Sequence, residues 1–378
     1  MQRESNTNGY VVITSDEPWS DIWHTQLHYA FQLAKRYEVI YLNPPLPWKF
    51  SHLFNFKSET FSYSDHLTVT RYLNILPSFL GKFGTWVNDK VNQRLLNALM
   101  KQKKKGEKFI VWHFDPFRSV FVFDTSKECT HIYHVIDPFA GHHYDLELAR
   151  KAQLVILTSP KFLKHYTDLN PNVIQIGQGV DMEFYSQQES IENTKDLISL
   201  NSILLLGTIT NEVDFQLLAK LAKEFDHGLV LIGPDKITSI DAKQQFQELI
   251  SIPGVHWLGP MNPSEFRKHV KACTIGIIAY GKAANSKNNM RSPLKVISYL
   301  ACQKNIISNI DCEIPELSNK AIYLVDKDET YFELIRQSYK NELHYDKKAV
   351  HDFLQSIDYS NLLNLIYAKL NIPLPDKR

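Results

Sequence analysis

Short apolar runs rich in β-branched residues alternate along this chain with stretches of helical periodicity. In the N-terminal half the runs expected to form strands are 10–14, 39–42, 109–112, 131–136, 154–157 and 173–176. Between the first two runs, apolar residues from Trp23 to Ala34 recur at helical spacing, so one helix face would cover a parallel sheet. This alternation predicts a Rossmann-like domain.

A second series of expected strands follows at 203–206, 229–232, 255–258, 275–279, 305–308 and 321–325. The polar stretch between the two series cannot readily bury a face, which indicates a linker. We predict an α/β fold in which two Rossmann-like domains face a cleft. The expected boundaries are 1–182 for the first domain, 183–200 for the linker, 201–345 for the second domain and 346–378 for a C-terminal helix and tail. This helix is expected to return to the first domain.

Composition excludes several function classes. The formal net charge of +1 over 378 residues gives no global attraction to nucleic acid, so we expect no such partner. The four cysteines form no C-x-x-C pair, and the neighbouring His142 and His143 would point apart, so no metal site is assigned. A polar N-terminus and the lack of a long apolar run predict a cytoplasmic protein.

One segment, residues 291–301, combines a cation with a helix start. Ser292 suits an N-cap and Pro293 suits the first helical position, which places Lys295 in the first turn. A lysine there opposes the helix dipole unless an anion such as a diphosphate shares the site, and Arg291 would offer a second cation. The alternative is a lysine exposed at a solvated helix end.

This segment resembles the Pro-x-Lys-x-x-Glu-Tyr-Leu-Ala donor-site helix of GT-B glycosyltransferases, especially the bacterial family-4-like enzymes that build surface polysaccharides. Upstream, the segments 204–207, 213–215, 231–234 and 255–260 resemble the donor domain of that family in order and spacing. The segments 112–116, 133–137 and 179–181 fit the same template more loosely. The resemblance covers most of the chain.

The resemblance implies a hexosyltransferase that takes a sugar from a nucleotide sugar, with UDP favoured over GDP, and needs no cofactor. Its acceptor would be a glycan or a polyprenyl-linked glycan of envelope polysaccharide synthesis. The residues expected to bind the donor nucleotide are Gly207, Gly233, His256, Trp257, Leu258, Tyr280, Arg291, Ser292, Lys295 and Ser298.

The chain departs from the family pattern at one position. Ser298 stands where the family carries a glutamate that contacts the ribose, and Met290 replaces a second glutamate. Ser298 lies three residues beyond Lys295 and could offer its hydroxyl to a ribose as a neutral partner. The substitution leaves two alternatives open, a non-catalytic protein that binds sugar nucleotides and an epimerase of the same fold. It also leaves open whether transfer retains or inverts configuration.

On the acceptor side, polar residues follow the expected strands of the first domain. Asp137 comes directly after a strand and is the general-base candidate, the alternative being an aspartate that ends a strand and caps a turn. His113 occupies the place where related enzymes put a histidine near the donor sugar, although a lone histidine is more often structural. Asp115 and His24 complete the expected acceptor side.

Aromatic and basic residues are interleaved between the second and third strands expected in the first domain. The aromatic and aliphatic members are Trp48, Phe50, Leu53, Phe54, Phe56, Leu76, Phe79, Leu80, Phe83 and Trp86, and the basic members are Lys49, Lys57, Lys101, Lys103, Lys104, Lys105 and Lys108. Such a composition suits the anionic inner face of the plasma membrane. The alternative is a core helix beside a solvated lysine loop.

Overall fold

The computed structural model of the protein describes residues 9–53, 59–100, 109–118, 129–137, 139, 144–187, 198–281 and 294–377. The chain divides into two compact units, of which the first comprises Met1–Gly177 together with Leu363–Arg378 and the second comprises Gln178–Leu362. Residues 183–200, predicted as a linker, therefore fall in the second unit, where Met182–Ser186 forms a helix.

The first unit is built on an eight-stranded sheet in the order β3-β4-β2-β1-β5-β6-β7-β8, and β3 alone runs antiparallel to its neighbour. Its strands are β1 Tyr10–Thr14, β2 Glu38–Leu42, β3 Glu59–Ser64, β4 Leu67–Arg71, β5 Phe109–His113, β6 Cys129–Val135, β7 Leu154–Leu157 and β8 Val173–Gln175. Its helices are α1 Thr25–Ala34, α2 Gly81–Met100, α3 Asp145–Lys151 and α4 Leu163–Thr167, with single 3₁₀ turns at Phe50–Leu53, Ser78–Leu80 and Pro160–Phe162.

The second unit contains a six-stranded parallel sheet in the order β11-β10-β9-β12-β13-β14. Its strands are β9 Ile203–Leu206, β10 Leu229–Ile232, β11 Val255–Trp257, β12 Ile275–Ile278, β13 Ile306–Ser308 and β14 Ile322–Leu324. Its described helices are α5 Met182–Ser186, α6 Phe215–Glu224, α7 Ile240–Ile250, α8 Pro263–Ala272, α9 Leu294–Ala301, α10 Asp328–Tyr339 and α11 Lys347–Ser356, with a 3₁₀ turn at Pro315–Leu317. The last helix, α12 Tyr359–Lys369, begins in this unit and belongs to the first unit from Leu363 on.

The central strands of both sheets are apolar runs that are buried on two faces, as in β1, β5, β9 and β12. In the second unit one core lies beneath α6, α7 and α10, and another lies beneath α8, α9 and α11. Local signals fix the helix starts: Asp214 caps α6 by accepting the Leu217 N–H, and Asn262 and Glu265 form a capping box at α8. The two parallel-sheet domains confirm the predicted fold class.

The C-terminal region differs from its prediction in one respect. The segment 346–378 was expected to contain a single helix followed by a tail, but α11 ends at Ser356 and α12 begins at Tyr359. The backbone between them pairs with Val180, whose N–H donates to Ile357 O at 3.0 Å and whose carbonyl accepts from Tyr359 N at 3.0 Å. From Leu363 on, the chain belongs to the first unit, as predicted, and Tyr367 stacks on Tyr37 there.

The hairpin of β3 and β4 was missed by the strand prediction. Every residue of β3 is exposed, so the strand carries no apolar alternation that could reveal it. Instead it is held at the sheet edge by antiparallel pairing with β4, whose Leu67 and Val69 are buried. Within the described residues, no helix combines the length and apolar character needed to cross a membrane.

Candidate functional site

The carboxyl edge of the second sheet changes direction between β9 and β12. Strand β9 has β10 on one side and β12 on the other, so connections leave it in opposite directions and a crevice opens beyond Leu206. Gly207 follows with φ +124°, and Gly233, at the end of the adjoining β10, has φ +147°. The predicted site residues Gly207, Gly233 and Lys295 therefore converge at this crevice.

Glycine is required at these two positions because neighbouring atoms lie too close to leave room for a side chain, and not because a main-chain N–H must be exposed. The Gly207 N–H is already committed, because it donates to Ile232 O at 2.8 Å. A Cβ built on Gly207 would lie 3.1 Å from Lys295 Nζ, and one on Gly233 would overlap the Gly207 carbonyl. The Gly207 N–H is thus committed within the sheet, and the absence of a side chain at Gly207 makes room for the lysine.

We predict that Gly233→Ala strongly destabilises the second unit. The substitution combines a left-handed φ with a steric overlap against backbone, and each effect alone typically costs about 1–3 kcal/mol. Thermal unfolding followed by circular dichroism measures the loss. Gly281→Ala is the matched control, because its nearest neighbour, Glu212 O, lies 3.8 Å from the added Cβ. Equal melting temperatures for the two variants would contradict this account of Gly233.

Lys295 extends from the first turn of α9 and is half-buried. Its ammonium group lies 3.2 Å from the Tyr280 hydroxyl and 4.9 Å from the centroid of the Tyr280 ring. Within the described part of the chain no carboxylate forms an ion pair with it. Among the described residues, a cation thus lies at a helix N-terminus with no ion-pair partner, which is an arrangement suited to an anion. Arg291 and Ser292 lie outside the described residues.

Tyr280, one of the predicted donor residues, is fixed by a residue that the sequence did not single out. Asn309, which follows β13, accepts a hydrogen bond from Tyr280 N at 2.9 Å and donates to Tyr280 O at 2.5 Å. Beyond this pair lies a cavity of about 460 Å³ whose lining includes Asp214, Asp311 and Asp326. The acidic lining of this cavity does not suit a phosphate. The side of Tyr280 that faces Lys295 is therefore the side suited to an anion.

The predicted donor residues His256, Trp257 and Leu258 lie at the end of β11, where they support this edge. Trp257 Nε1 donates to Gly233 O at 3.0 Å, and the indole ring packs edge-on against Phe246. The Leu258 N–H donates to Leu231 O at 2.9 Å, which continues the ladder of β10 and β11. His256 is half-buried beside them. Trp257 therefore supports the loop of Gly233, and its N–H is occupied by that contact.

Ser298 is buried and already hydrogen-bonded. It is 7% exposed, and its hydroxyl accepts from the Tyr185 hydroxyl at 3.0 Å. Tyr185 belongs to α5, which Arg267 anchors by donating to Phe184 O. A ribose contact by Ser298 would require this hydrogen bond to be shared or exchanged. No feature of the sequence revealed Tyr185, because α5 lies in the stretch whose composition indicated a linker.

In the first unit the corresponding change of direction lies between β1 and β5, and the loop after β1 is tied down there. The Tyr41 hydroxyl donates to Ser15 Oγ at 2.8 Å and contacts Glu17 O at 2.9 Å, while Glu17 N donates to Ser15 Oγ at 3.1 Å. The side chain between these anchors is Asp16. Gln26 of α1, which is fully buried, donates to Asp16 Oδ1 at 3.0 Å.

Asp16 is a site candidate that the sequence analysis missed. Burial raises the pKa of its carboxyl to about 6, and the nearby carboxylates of Glu17 and Asp137 act in the same direction, while its hydrogen bonds oppose the shift. Asp16 and the predicted base Asp137 therefore interact electrostatically. Its position two residues beyond a strand end was a usable signal, but its burial depends on α1 and could not be foreseen.

The other predicted acceptor residues are less accessible. His113 is 1% exposed, and its Nε2 lies 3.0 Å from Nδ1 of His131, with the two rings stacked. Burial and the neighbouring His131 hold the pKa of His113 well below its usual 6.5. The imidazole is thus a neutral side chain packed within the sheet, and a catalytic role for His113 stays a prediction.

Asp115 and His24 also have structural surroundings. Asp115 is 2% exposed, accepts from Phe117 N at 2.8 Å and forms an ion pair with Arg118. This pairing makes it the anchor of a turn after β5. His24 is the N-cap residue of α1, half-buried, and its side chain makes no capping hydrogen bond. Asp16 and Asp137 are consequently the carboxylates that the structure associates at this edge.

Solved structures are similar to this chain in fold. An α,α-trehalose-phosphate synthase (UDP-forming) from Burkholderia vietnamiensis superposes with a TM-score of 0.66 at 9% identity, over 97% of this chain and 98% of the synthase. WaaG, a glycosyltransferase involved in lipopolysaccharide biosynthesis, superposes with a TM-score of 0.60 at 12% identity, over 96% of this chain and 98% of WaaG. The chain has the GT-B fold.

Sequence comparison adds one relative to these GT-B structures. TuaH of Bacillus subtilis (strain 168), provisionally described as a teichuronic acid biosynthesis glycosyltransferase, is 24% identical over 238 residues. The matched segment is 56% of this chain and 58% of TuaH, so it spans little more than half of either protein. No family model matches the sequence.

Proposed function

We propose that this GT-B protein is a glycosyltransferase that moves a hexose from a UDP-sugar, or less favourably a GDP-sugar, to a glycan or polyprenyl-linked acceptor of envelope polysaccharide synthesis. The observation that carries the proposal is the Lys295 ammonium at the N-terminus of α9, beside Gly207 and without a carboxylate partner in the described chain. A diphosphate is an anion of matching charge. The descriptions of TuaH and WaaG support the polysaccharide pathway, and the UDP-forming synthase supports UDP.

The second unit would stabilise the negative charge that develops on the leaving group. As the bond between the anomeric carbon and the diphosphate oxygen breaks, its electron pair moves to the leaving UDP. Lys295 and the partial positive charge of the α9 N-terminus then stabilise the negative charge that develops there. Both groups are held in place before the reaction begins, so little reorganisation is needed at the transition state.

The first unit would supply the group that removes the proton from the acceptor hydroxyl. The acceptor oxygen forms its bond to the anomeric carbon and loses its proton to a carboxylate. We propose that Asp16 and Asp137 form this carboxylate pair, with Asp137 the candidate from its sequence position and Asp16 the candidate from its burial and fixed geometry. A base whose pKa is about 6 is largely ionised at neutral pH yet still binds a proton there.

Turnover of radiolabelled UDP-sugars in the presence of membrane-derived glycolipids tests the proposed function. We expect the label to appear in the glycolipid fraction, with UDP released in equal amount. A converted UDP-sugar formed without any acceptor would indicate the epimerase instead. Nucleotide binding without turnover of any donor would indicate the non-catalytic alternative, for which the replacement of the family glutamate by Ser298 is the main support.

A peripheral membrane contact is the second part of the proposal, because the polyprenyl chain of a lipid-linked acceptor is held in a bilayer. The exposed apolar surface consists of Phe79 and Leu80 with Phe83 and Trp86 of α2, and their exposed fractions are 82%, 40%, 64% and 56%. Phe83 and Trp86 stack at 6.4 Å. Exposed basic residues, Lys82, Lys90 and Arg94, lie on the same helix.

Aromatic side chains of this kind insert at the headgroup level, and nearby cations favour anionic lipids. Phe50 is also exposed, at 67%. Trp48 does not join this surface, because it is half-buried and its Nε1 donates to Ile75 O at 3.0 Å. Phe54, Phe56 and Lys57, together with the lysine cluster at 101–108, lie outside the described residues.

We predict that the protein co-sediments with phosphatidylglycerol-containing vesicles at low salt. Added salt should weaken binding because each lysine near an anionic surface contributes about 1 kcal/mol of screened attraction, while aromatic insertion leaves a salt-resistant remainder. Replacing Phe79, Phe83 and Trp86 by serine should remove that remainder. Ile240→Ser is the control, since Ile240 is 86% exposed in the second unit.

A second variant separates the electrostatic part of vesicle binding. Glutamine at Lys101, Lys103, Lys104, Lys105 and Lys108 should reduce the salt-sensitive fraction, to which the exposed cations of α2 also contribute, and leave the aromatic fraction. The membrane contact is wrong if the unaltered protein stays in the supernatant with anionic vesicles at low salt.

A further inference from the structure

Helix α9 is joined to the edge of β9 by the hydroxyl of Tyr299. The ring is fully buried, and the hydroxyl donates to Leu204 O at 2.8 Å and accepts from Leu206 N at 2.8 Å. Burial raises the pKa of this hydroxyl well above its usual 10, so it stays protonated and able to donate. One side-chain atom thus satisfies two main-chain groups of the strand that leads into Gly207.

The hydroxyl occupies the place where β9 and β12 separate. The two strands pair as far as Leu205 and Ile277, whereas β9 and β10 continue to pair through Leu206. The Leu206 N–H donates to the Tyr299 hydroxyl, which therefore lies at the end of the stretch over which β9 and β12 pair. Beyond the last paired residues, the Tyr299 hydroxyl replaces β12 as the hydrogen-bond partner of the β9 main chain.

Gly276 of β12 makes room for the Tyr299 ring. A Cβ at position 276 would lie 2.5 Å from the nearest ring carbon, so every larger residue would displace the ring. The backbone of Gly276 does not need a left-handed conformation, and the requirement for glycine is steric. The packing of the Tyr299 ring against Gly276 therefore sets the distance between α9 and the sheet.

The distance between α9 and the sheet also affects the position of the Lys295 ammonium group. Lys295 precedes Tyr299 by four residues and lies one turn away on the same helix face. Its ammonium group lies 3.1 Å from the place that a Cβ of Gly207, the residue directly after Leu206, would occupy. The Tyr299 hydroxyl binds Leu206 and the Lys295 ammonium lies beside Gly207, so one helix faces two consecutive residues at the end of β9.

We propose that Tyr299 is a positioning residue that fixes the Lys295 ammonium relative to Gly207 and thereby determines how strongly the site holds a diphosphate. This inference rests on the proposed function, since it concerns the same nucleotide site. Tyr299 itself does not reach the ligand, because its ring is enclosed in the core and its hydroxyl is committed to Leu204 and Leu206. Its effect is expected on the phosphate part of the ligand alone.

Calorimetric titration of Tyr299→Phe with UDP and with uridine tests this role. We expect UDP affinity to fall about tenfold, roughly half of the logarithmic effect of a full charge-assisted contact, while uridine affinity changes by less than about twofold. Tyr323→Phe is the matched control. Tyr323 is also buried, at 8% exposure, and its hydroxyl donates to His344 O at 2.6 Å at the far edge of the sheet, so neither affinity should change.

Equal losses for UDP and uridine in Tyr299→Phe would show a merely structural role and overturn the inference, as would unchanged UDP affinity. If Tyr299→Phe fails to fold, Gly276→Ala displaces the same ring and should give the same selective loss of UDP affinity; an unselective loss there also overturns the inference. Failure of the unaltered protein to bind UDP would instead contradict the proposed function, and this inference with it.

Discussion

Asp16→Asn is expected to lower the rate of sugar transfer by about 10²- to 10⁴-fold, because removal of a positioned base typically has an effect of that size. UDP affinity should remain close to that of the unaltered protein, since the cation assigned to the diphosphate, Lys295, belongs to the second unit. Rates are measured with saturating donor and membrane-derived acceptor. The same experiment on Asp137→Asn decides which carboxylate takes the proton, because the base should show the larger loss.

The stability of Asp16→Asn provides an independent test of the environment of this carboxyl. The folded-state pKa of about 6 lies above the usual 3.8, so the folded protein binds this proton more tightly than the unfolded chain. The favourable contribution is complete below pH 3.8 and is lost as pH rises through about 6. At pH 8 the ionised, buried Asp16 should therefore cost on the order of 2 kcal/mol, which a neutral asparagine avoids.

The expected result is that Asp16→Asn melts at a higher temperature than the unaltered protein at pH 8, with the difference shrinking toward pH 4. Glu17→Gln is the control, because it changes the neighbouring charge without removing the Asp16 carboxyl. A variant that loses both transfer rate and stability at pH 8 would mean that Asp16 supports the loop as an ionised partner of Gln26, and the base assignment would be wrong.

Lys295→Met is expected to weaken UDP binding by roughly 10- to 150-fold and to leave uridine binding nearly unchanged. A charge-assisted contact to phosphate contributes about 1.5–3 kcal/mol, and methionine keeps the length of the side chain without its charge. Calorimetric titration with both ligands measures the difference. Lys223→Met, an exposed lysine in the last turn of α6, controls for a change in net charge.

Salt dependence sharpens this prediction. If the lysine acts on the diphosphate by charge, added salt should weaken UDP binding more in the unaltered protein than in Lys295→Met. Parallel losses of UDP and uridine affinity in Lys295→Met would instead place the lysine at the nucleoside or in the support of the fold.

The sheets could be predicted closely wherever a strand is a continuous apolar run. The bounds of β1, β7, β9 and β10 were predicted exactly, because parallel strands buried on two faces admit few polar residues. The β3–β4 hairpin could not be predicted, since β3 is exposed throughout and owes its place to pairing with β4. The break between α11 and α12 likewise depends on a distant partner, Val180.

The candidate site likewise contains residues that the sequence revealed and residues that it did not. Lys295, Gly207 and Gly233 were recognisable because helix-start chemistry and strand-ending glycines are local signals. Asp16 and Asn309 were not recognised, because what distinguishes them is a contact made by another element, Gln26 of α1 for the first and the Tyr280 backbone for the second. His113 was a reasonable candidate from its position, but the pairing with His131 across two strands could not be seen in the sequence.

Amide hydrogen exchange of the unaltered protein with and without saturating UDP tests most directly whether the carboxyl edge of the second sheet holds the nucleotide. Because bound ligand slows local opening, we predict protection in the peptides that contain Gly207, Gly233 and the first turn of α9. Peptides of α2 in the first unit should exchange at the same rate in both conditions. Protection confined to the first unit, or no protection at any UDP concentration, would contradict the assignment of this edge as the nucleotide site.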